Sequence, residues 1–200
     1  MVAFCHEGAL LTADEFLREW TGRLVKIDFR TPKPVLPSAS TSFLYSAGLP
    51  QTFSIECSQI VTISTNANPT NLSDVWSEQM CDWAMPHEWH RFWRIGDIAY
   101  TQADAWLCVE EVTGHIYAID VEIDNPVYLV ARSVMNLAAS MLYWTRWYTA
   151  TSGVIASVDE LRRIFLEDSD ISSDEFDDFW GALLDSECET GIERLTVTHT

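Results

Sequence analysis

Residues 95–120 constrain the fold more than any other stretch of this chain. They read Ile95-Gly96-Asp97-Ile98-Ala99-Tyr100, then a polar break, then Trp106-Leu107-Cys108-Val109. Glu111-Val112-Thr113-Gly114 and His115-Ile116-Tyr117-Ala118-Ile119-Asp120 complete the stretch. Apolar runs of this length, rich in β-branched and aromatic residues and bounded by Gly, Asp and Thr, are strand signals. Val112-Thr113-Gly114 falls between two such runs and predicts a short hairpin connection. Gly114 suits it, because a residue without Cβ adopts φ > 0 at no steric cost. The result is a central antiparallel meander, and its sequence carries no nucleophile–base pair and no phosphate-binding loop.

Helices and connectors surround it. Thr12 and Glu15 form a T-x-x-E capping box with Leu11 and Phe16 at the staple positions. Phe16, Leu17 and Trp20 give that helix a short apolar face, and Gly22 stops it. Residues 24–29 read as an edge strand. Pro32, Pro34 and Pro37 make 31–37 an extended connector, since proline donates no backbone hydrogen bond. A second helix is expected over 38–46, with Gly48 at its C′ position and Pro50 as terminator. Residues 53–64 predict a strand pair or one bent strand, 65–70 a loop, and 72–83 a helix that Pro86 ends. Residues 87–100 read as a strand leading into the meander, 121–126 as a strand end and turn, and 127–131 as a further strand. Ser133 is an N-cap for a helix on which Val134, Leu137, Ala138, Met141, Trp144 and Tyr148 share one face. Residues 149–156 form a small-residue loop. Two more capping boxes, Ser157 with Glu160 and Ser172 with Glu175, open two further helices. Leu161, Ile164 and Phe165 mark the buried face of one; Phe176, Phe179, Trp180, Leu183 and Leu184 mark that of the other.

Charge narrows the function. Twelve Lys plus Arg stand against 30 Asp plus Glu, a net −18. Residues 156–194 hold 13 acids and 3 bases, so −10 of that charge lies in the tail. Nucleic-acid binding needs clustered positive charge to displace counterions, and this chain lacks it. An acidic surface instead favours a basic protein partner and raises its association rate. Cys5, Cys57, Cys81, Cys108 and Cys188 are odd in number, widely spread and never in a C-x-x-C pair. That pattern argues against a disulfide framework and fits a reducing cytoplasm. No basic segment followed by an apolar run opens the chain, so a secretory signal is not expected. The apolar stretch 134–148 is too short and too polar to span a bilayer.

Three constellations invite a chemical reading. Cys81, His87 and His90, with Glu88 between the histidines, are the nearest approach to a metal site, but the spacing matches no zinc signature. Asp97, Asp104, Glu110, Glu111 and Asp120 crowd the meander, and a pair of carboxylates is what a hydrolase needs. No spacing singles out one pair, and so acidic a chain places carboxylates almost everywhere, so solvated strand and turn positions are expected. Ser133 and Ser152 lie in no Gly-x-Ser-x-Gly context. No catalytic residue, cofactor or metal ligand is therefore expected. Arg91, Arg94 and Arg132 are expected to pair with neighbouring acids, and the tryptophans to serve mostly in the core.

The order of these signals resembles the SUKH superfamily and, within it, the fourth immunity-protein subgroup of the actinobacterial type. The residues that carry the resemblance start at Leu36-Pro37, Phe43-Leu44 and Ala47-Gly48-Leu49-Pro50, and continue at Ile95-Gly96. The likeness is clearest in Leu107-Cys108-Val109 followed by Val112-Thr113-Gly114-His115-Ile116-Tyr117-Ala118-Ile119-Asp120. It takes in residues 127–133 and the helix after them, then Phe179-Trp180, Leu183-Leu184, Glu187 and Gly191. The chain departs from the subgroup at Ala131-Arg132, where an Asn usually precedes the Ser, and at Thr101-Gln102-Ala103, where a Gly is usual.

The resemblance implies an α+β fold, a twisted and mostly antiparallel sheet with helices packed around it. It implies one domain over 1–200: an N-terminal helix and connector (1–35), a core sheet and long helix (36–150), and acidic C-terminal helices (151–200). It also implies a non-enzymatic, cytoplasmic antidote that binds a cognate toxin of a polymorphic toxin system, a nuclease or nucleic-acid deaminase. Such a toxin is expected to be basic. Candidate contact residues are Asp97, Asp104, Glu110, Glu111 and Asp120 on the meander, with Asp174, Asp177 and Asp178 on the tail. The alternatives are a general interaction module, as other SUKH-like proteins serve as cellular hubs, and a hydrolase using Asp97, Asp104 or Asp120.

Overall fold

The computed structural model describes residues 11–29, 36–56, 60–79, 85–99, 104–120, 127–150, 162–163, 166 and 177–181. The order is α1 (Ala13–Glu19), β1 (Leu24–Val25), α2 (Ser38–Ser46), β2 (Leu49–Pro50), β3 (Thr52–Glu56), β4 (Ile60–Asn71) and α3 (Leu72–Gln79). A 3-10 turn (His87–Arg91), β5 (Phe92–Ala99), β6 (Asp104–Glu110), β7 (Ile116–Asp120), β8 (Val127–Ala131) and α4 (Val134–Ala150) follow. A π turn covers Asp177–Gly181. Strands β3 to β8 form one six-stranded sheet in which each strand pairs antiparallel with its neighbour in sequence. β1 and β2 make a separate two-stranded ribbon. The fold is the α+β arrangement that the sequence implies.

The middle of this sheet is covered on both faces. Alternate residues of a strand point to opposite sides. Ile95, Leu107, Val109 and Ala118 join Phe16 of α1, Phe43 and Leu44 of α2, and Leu137 and Met141 of α4 in the larger core. Phe92, Trp106, Cys108 and Ile119 face the other way, onto Leu72, Val75 and Trp76 of α3 and Trp89 of the 3-10 turn. Trp76 meets Trp89 and Trp106 edge to face, with ring centroids 5.4 and 6.5 Å apart. This double burial explains why β5 to β7 read as near-continuous apolar runs and not as alternating ones.

Local signals set the helix ends. The capping box forms at α1: the Glu15 N–H donates to Thr12 Oγ1 (3.2 Å) and the Thr12 N–H to Glu15 Oε2 (2.9 Å). The helix stops at Glu19, before Gly22. At α4 the Asn136 N–H donates to Ser133 Oγ at 3.0 Å. Gly48 follows α2 with φ +79°, and a Cβ there would lie 2.2 Å from the Val25 carbonyl oxygen, so both conformation and space require glycine.

Several elements differ from their sequence expectation. Only Leu24–Val25 of 24–29 pairs as strand; Ile27 and Phe29 are spent on the core instead. Leu49–Pro50 pairs with β1 and does not merely terminate α2. Residues 65–70 are not a loop, because β4 runs through them with its ladder to β5 broken between Thr65 and Thr70. Pro69 has no N–H to give a ladder, and Asn68 donates its own to Asn66 Oδ1 at 3.0 Å, which bends the strand without ending it. Residues 87–91 form a 3-10 turn after Pro86, so β5 starts only at Phe92. Thr149 and Ala150 still belong to α4. The connector 30–35, the 121–126 turn and most of the two acidic C-terminal helices lie outside the described residues.

Two irregularities meet on β5. Its ladder to β6 shifts between Arg94 and Gly96, opposite the break in β4. Gly96 lies so close to β4 that a Cβ would sit 2.1 Å from the Ser64 carbonyl oxygen. At the far edge, β8 has a register shift against β7, and the Val130 carbonyl accepts from Trp180 Nε1 at 2.8 Å. The π turn therefore ties onto the last strand, with Phe179 and Trp180 buried as their place on an apolar face predicted. Gly96→Ala is expected to destabilise the protein by about 3 kcal/mol, since neither strand backbone can retreat without opening both cores. Urea unfolding measures this, and an unchanged midpoint would contradict the close approach.

Candidate functional site

The hairpin between β6 and β7 is built around a buried carboxylate. Glu110 is 4% exposed. It accepts from the Thr113 N–H at 2.8 Å and from the Thr113 hydroxyl, and Arg91 Nη1 lies 3.5 Å from its second oxygen. Burial alone would raise its pKa. The two Thr113 bonds and the Arg91 guanidinium outweigh that, and hold the carboxyl below the ordinary glutamate range. The Glu111 N–H donates to the Arg91 carbonyl and Trp93 Nε1 donates to Glu111 Oε2, so the turn is fastened to the 3-10 turn and to β5. Gly114, at φ +75°, rests on the Pro37 ring. The turn is rigid, and it lifts Val112 into solvent at 66% exposure.

The β3–β4 end of the sheet differs from the middle. On the α3 side, the rows Thr52–Ser64–Asp97 and Ser54–Thr62–Ala99 run across three strands. Thr52, Ser54, Ser64 and Ala99 are exposed there. Beside this hydroxyl-bearing surface, at the break in β4, lies an open groove of about 410 Å³. Arg23, Gln51, Ser64, Thr65, Asn66 and Asp97 line it. Its wall is stitched by the backbone: the Gln51 N–H donates to the Arg23 carbonyl (2.8 Å) and the Thr65 N–H to the Gln51 carbonyl (3.0 Å). Thr65 is 8% exposed and its hydroxyl has no hydrogen-bond partner among the described residues. Asp97 accepts from Arg94 Nε at 2.8 Å, and the same guanidinium lies over the Trp106 ring.

The SUKH-4 immunity protein family matches residues 12–173, which takes in α1, the whole sheet and α4. The chain belongs to that family. No curated protein and no solved structure matches it. Within the SUKH-4 match lie the meander residues on which the likeness rested, while Phe179-Trp180 falls beyond it.

In this SUKH-4 protein the described contact acids of the meander fall at the groove, on the hairpin and at strand ends, where the register sets Asp104 beside Asp120 on neighbouring strands. Asp97 alone among them lines the groove. Glu111 accepts from Trp93 at the hairpin, and Glu110 sits buried beneath it, one carboxylate oxygen on Thr113 and the other 3.5 Å from Arg91, so it helps build the turn. Asp104 opens β6 opposite Ala99, and Asp120 closes β7 opposite Ala105. Asp177 and Asp178 begin the π turn; Asp174 lies outside the described residues. The groove thus holds one carboxylate, Asp97, and not the carboxylate pair of a glycoside hydrolase. His87 and His90 face each other in the 3-10 turn, Cys81 lies outside the described residues, and no metal-binding group of His, Cys, Asp and Glu occurs among the described residues. Cys108 is free and buried, and burial pushes its thiol well up, which leaves it protonated and unreactive. No described helix is long and apolar enough to cross a membrane. Sequence reasoning passed over Gln51, Ser64, Thr65 and Asn66; the one signal was Thr-Asn-Ala-Asn-Pro directly after a strand run.

Because the folded Glu110 carboxyl titrates low, its stabilisation is present above the unfolded pKa and is lost as pH falls through the folded value. Glu110→Gln should cost about 1–3 kcal/mol at neutral pH, the range for charge-assisted bonds. The gap to wild type should narrow as pH falls below roughly 4.3, the unfolded glutamate value, and close only below the lower folded value, where Glu110 is protonated in both states. Thermal melts across pH measure it, and a gap independent of pH would contradict the role.

Proposed function

We propose that this SUKH-4 protein neutralises a basic toxin that acts on nucleic acid, a nuclease or a deaminase, by stoichiometric binding in the cytoplasm and without chemistry of its own. The observation that carries this reading is the charge. A toxin that handles nucleic acid needs a basic cleft, and a chain of net −18 is drawn to such a cleft and suited to occlude it. Family membership supplies the immunity role and a cognate toxin as partner; charge supplies the toxin's class.

The contact acids of this reading are Asp97, Asp104, Glu111 and Asp120, with Asp174, Asp177 and Asp178 from the tail. Glu111 stands on a turn already rigid before binding, which lowers the entropy cost of docking. The buried strands of the meander contribute no open face, so contact falls to the hairpin tip, the β3–β4 end and the acidic tail.

Co-expression with the toxin domain encoded beside this chain tests the reading. Survival should be restored and the two proteins should co-purify. The complex should weaken by about tenfold or more between roughly 50 and 500 mM salt, mainly through slower association. Toxicity that persists with no complex formed would sink it.

A further inference from the structure

We propose that the groove beside the β4 break binds a short extended polypeptide segment of the toxin, reading its main chain through side-chain amides and hydroxyls. This rests on the toxin-binding reading above and assigns it a site apart from the acidic surfaces. The lining is balanced in a way that selects the occupant. Gln51 and Asn66 each offer an amide donor and an amide acceptor, and Ser64 and Thr65 each offer a hydroxyl that can do either. Arg23 and Asp97 add one charge of each sign, so the groove is locally neutral in a chain of −18. A polyanion would meet Asp97 and a bare cation would meet Arg23. An extended peptide, with N–H and C=O groups alternating along its length, suits the amides and hydroxyls, and its side chains can rest on Val25 and Ala67, which complete the lining.

Three further features fit that occupant. The groove of about 410 Å³ is open to solvent, which suits a segment laid across it more than an enclosed small molecule. The wall is pre-formed by the backbone bonds Gln51 N–H to Arg23 and Thr65 N–H to Gln51, and by the approach of Gly96 to Ser64, so binding need not order it first. The exposed face bearing Thr52, Ser54 and Ser64 continues the surface outward from the groove.

The test uses the full chain and the catalytically inactivated toxin domain encoded beside it, with binding followed by calorimetry. Ser64→Arg fills the groove, and the double change Gln51→Ala with Asn66→Ala removes both amides while leaving the space. Ala39→Arg, on the exposed side of α2, serves as the control. Each variant is first shown to melt as wild type does. Both groove variants should lose about tenfold or more in affinity, as central contacts do, and the control should lose nothing. Hydrogen exchange should slow at 64–68 in the complex. Wild-type affinity in both groove variants, with the complex intact, would overturn the groove assignment and leave the immunity reading standing. No binding by the wild-type chain would overturn both.

Discussion

The architecture depends on β5 being packed tightly on every side. Its larger-core face carries Trp93, Ile95 and Ile98, its opposite face carries Phe92, and its flank at Gly96 leaves no room for a single methyl group beside Ser64. Neighbours on both edges must adjust to this strand, and both do. The ladder to β4 breaks between Thr65 and Thr70, and the ladder to β6 shifts between Arg94 and Gly96. Bulges of this kind bend a sheet and redirect side chains. Here the bend separates a middle closed by helices from a polar end left open, and the groove lies at the seam.

Closing the middle has a functional consequence. A partner cannot reach the apolar runs of β5 to β7, whatever its charge. Among the described residues, the accessible parts of β3 to β7 and their connections include the hairpin tip and the hydroxyl-bearing end. Charge and shape then divide the work. A field of −18 governs how fast a basic partner arrives, while residence is governed by a few well-packed, hydrogen-bonded contacts. On the proposed reading, the hairpin and the groove are where such contacts lie.

Much of the fold was legible because local chemistry and global packing agree. The Thr12–Glu15 box, the Ser133 cap, the Gly48 and Gly114 turns and the apolar runs of the meander all appear where their residues demand. Legibility failed where tertiary context decided. Thr-Asn-Ala-Asn-Pro has loop composition, yet flanking ladders carry β4 through it. His87–Arg91 alternates well enough for a strand, but Trp89 is drawn into the Trp76 cluster and the backbone tightens to a 3-10 turn. Glu110 looked like any surface acid of an acidic chain. Only the register against Phe92 and the reach of Arg91 show that it lies under the turn. The groove was invisible for the same reason, since its residues come from four separate segments.

The central claim is neutralisation by one-to-one occupancy and not by chemistry. The most direct measurement titrates the activity of the toxin against this protein, at a toxin concentration well above the dissociation constant. The account predicts residual activity falling linearly to zero at one equivalent, with both proteins recovered at unchanged mass. Full inhibition by a small fraction of an equivalent, or a mass change on the toxin, would contradict it, as would full activity in excess of the protein.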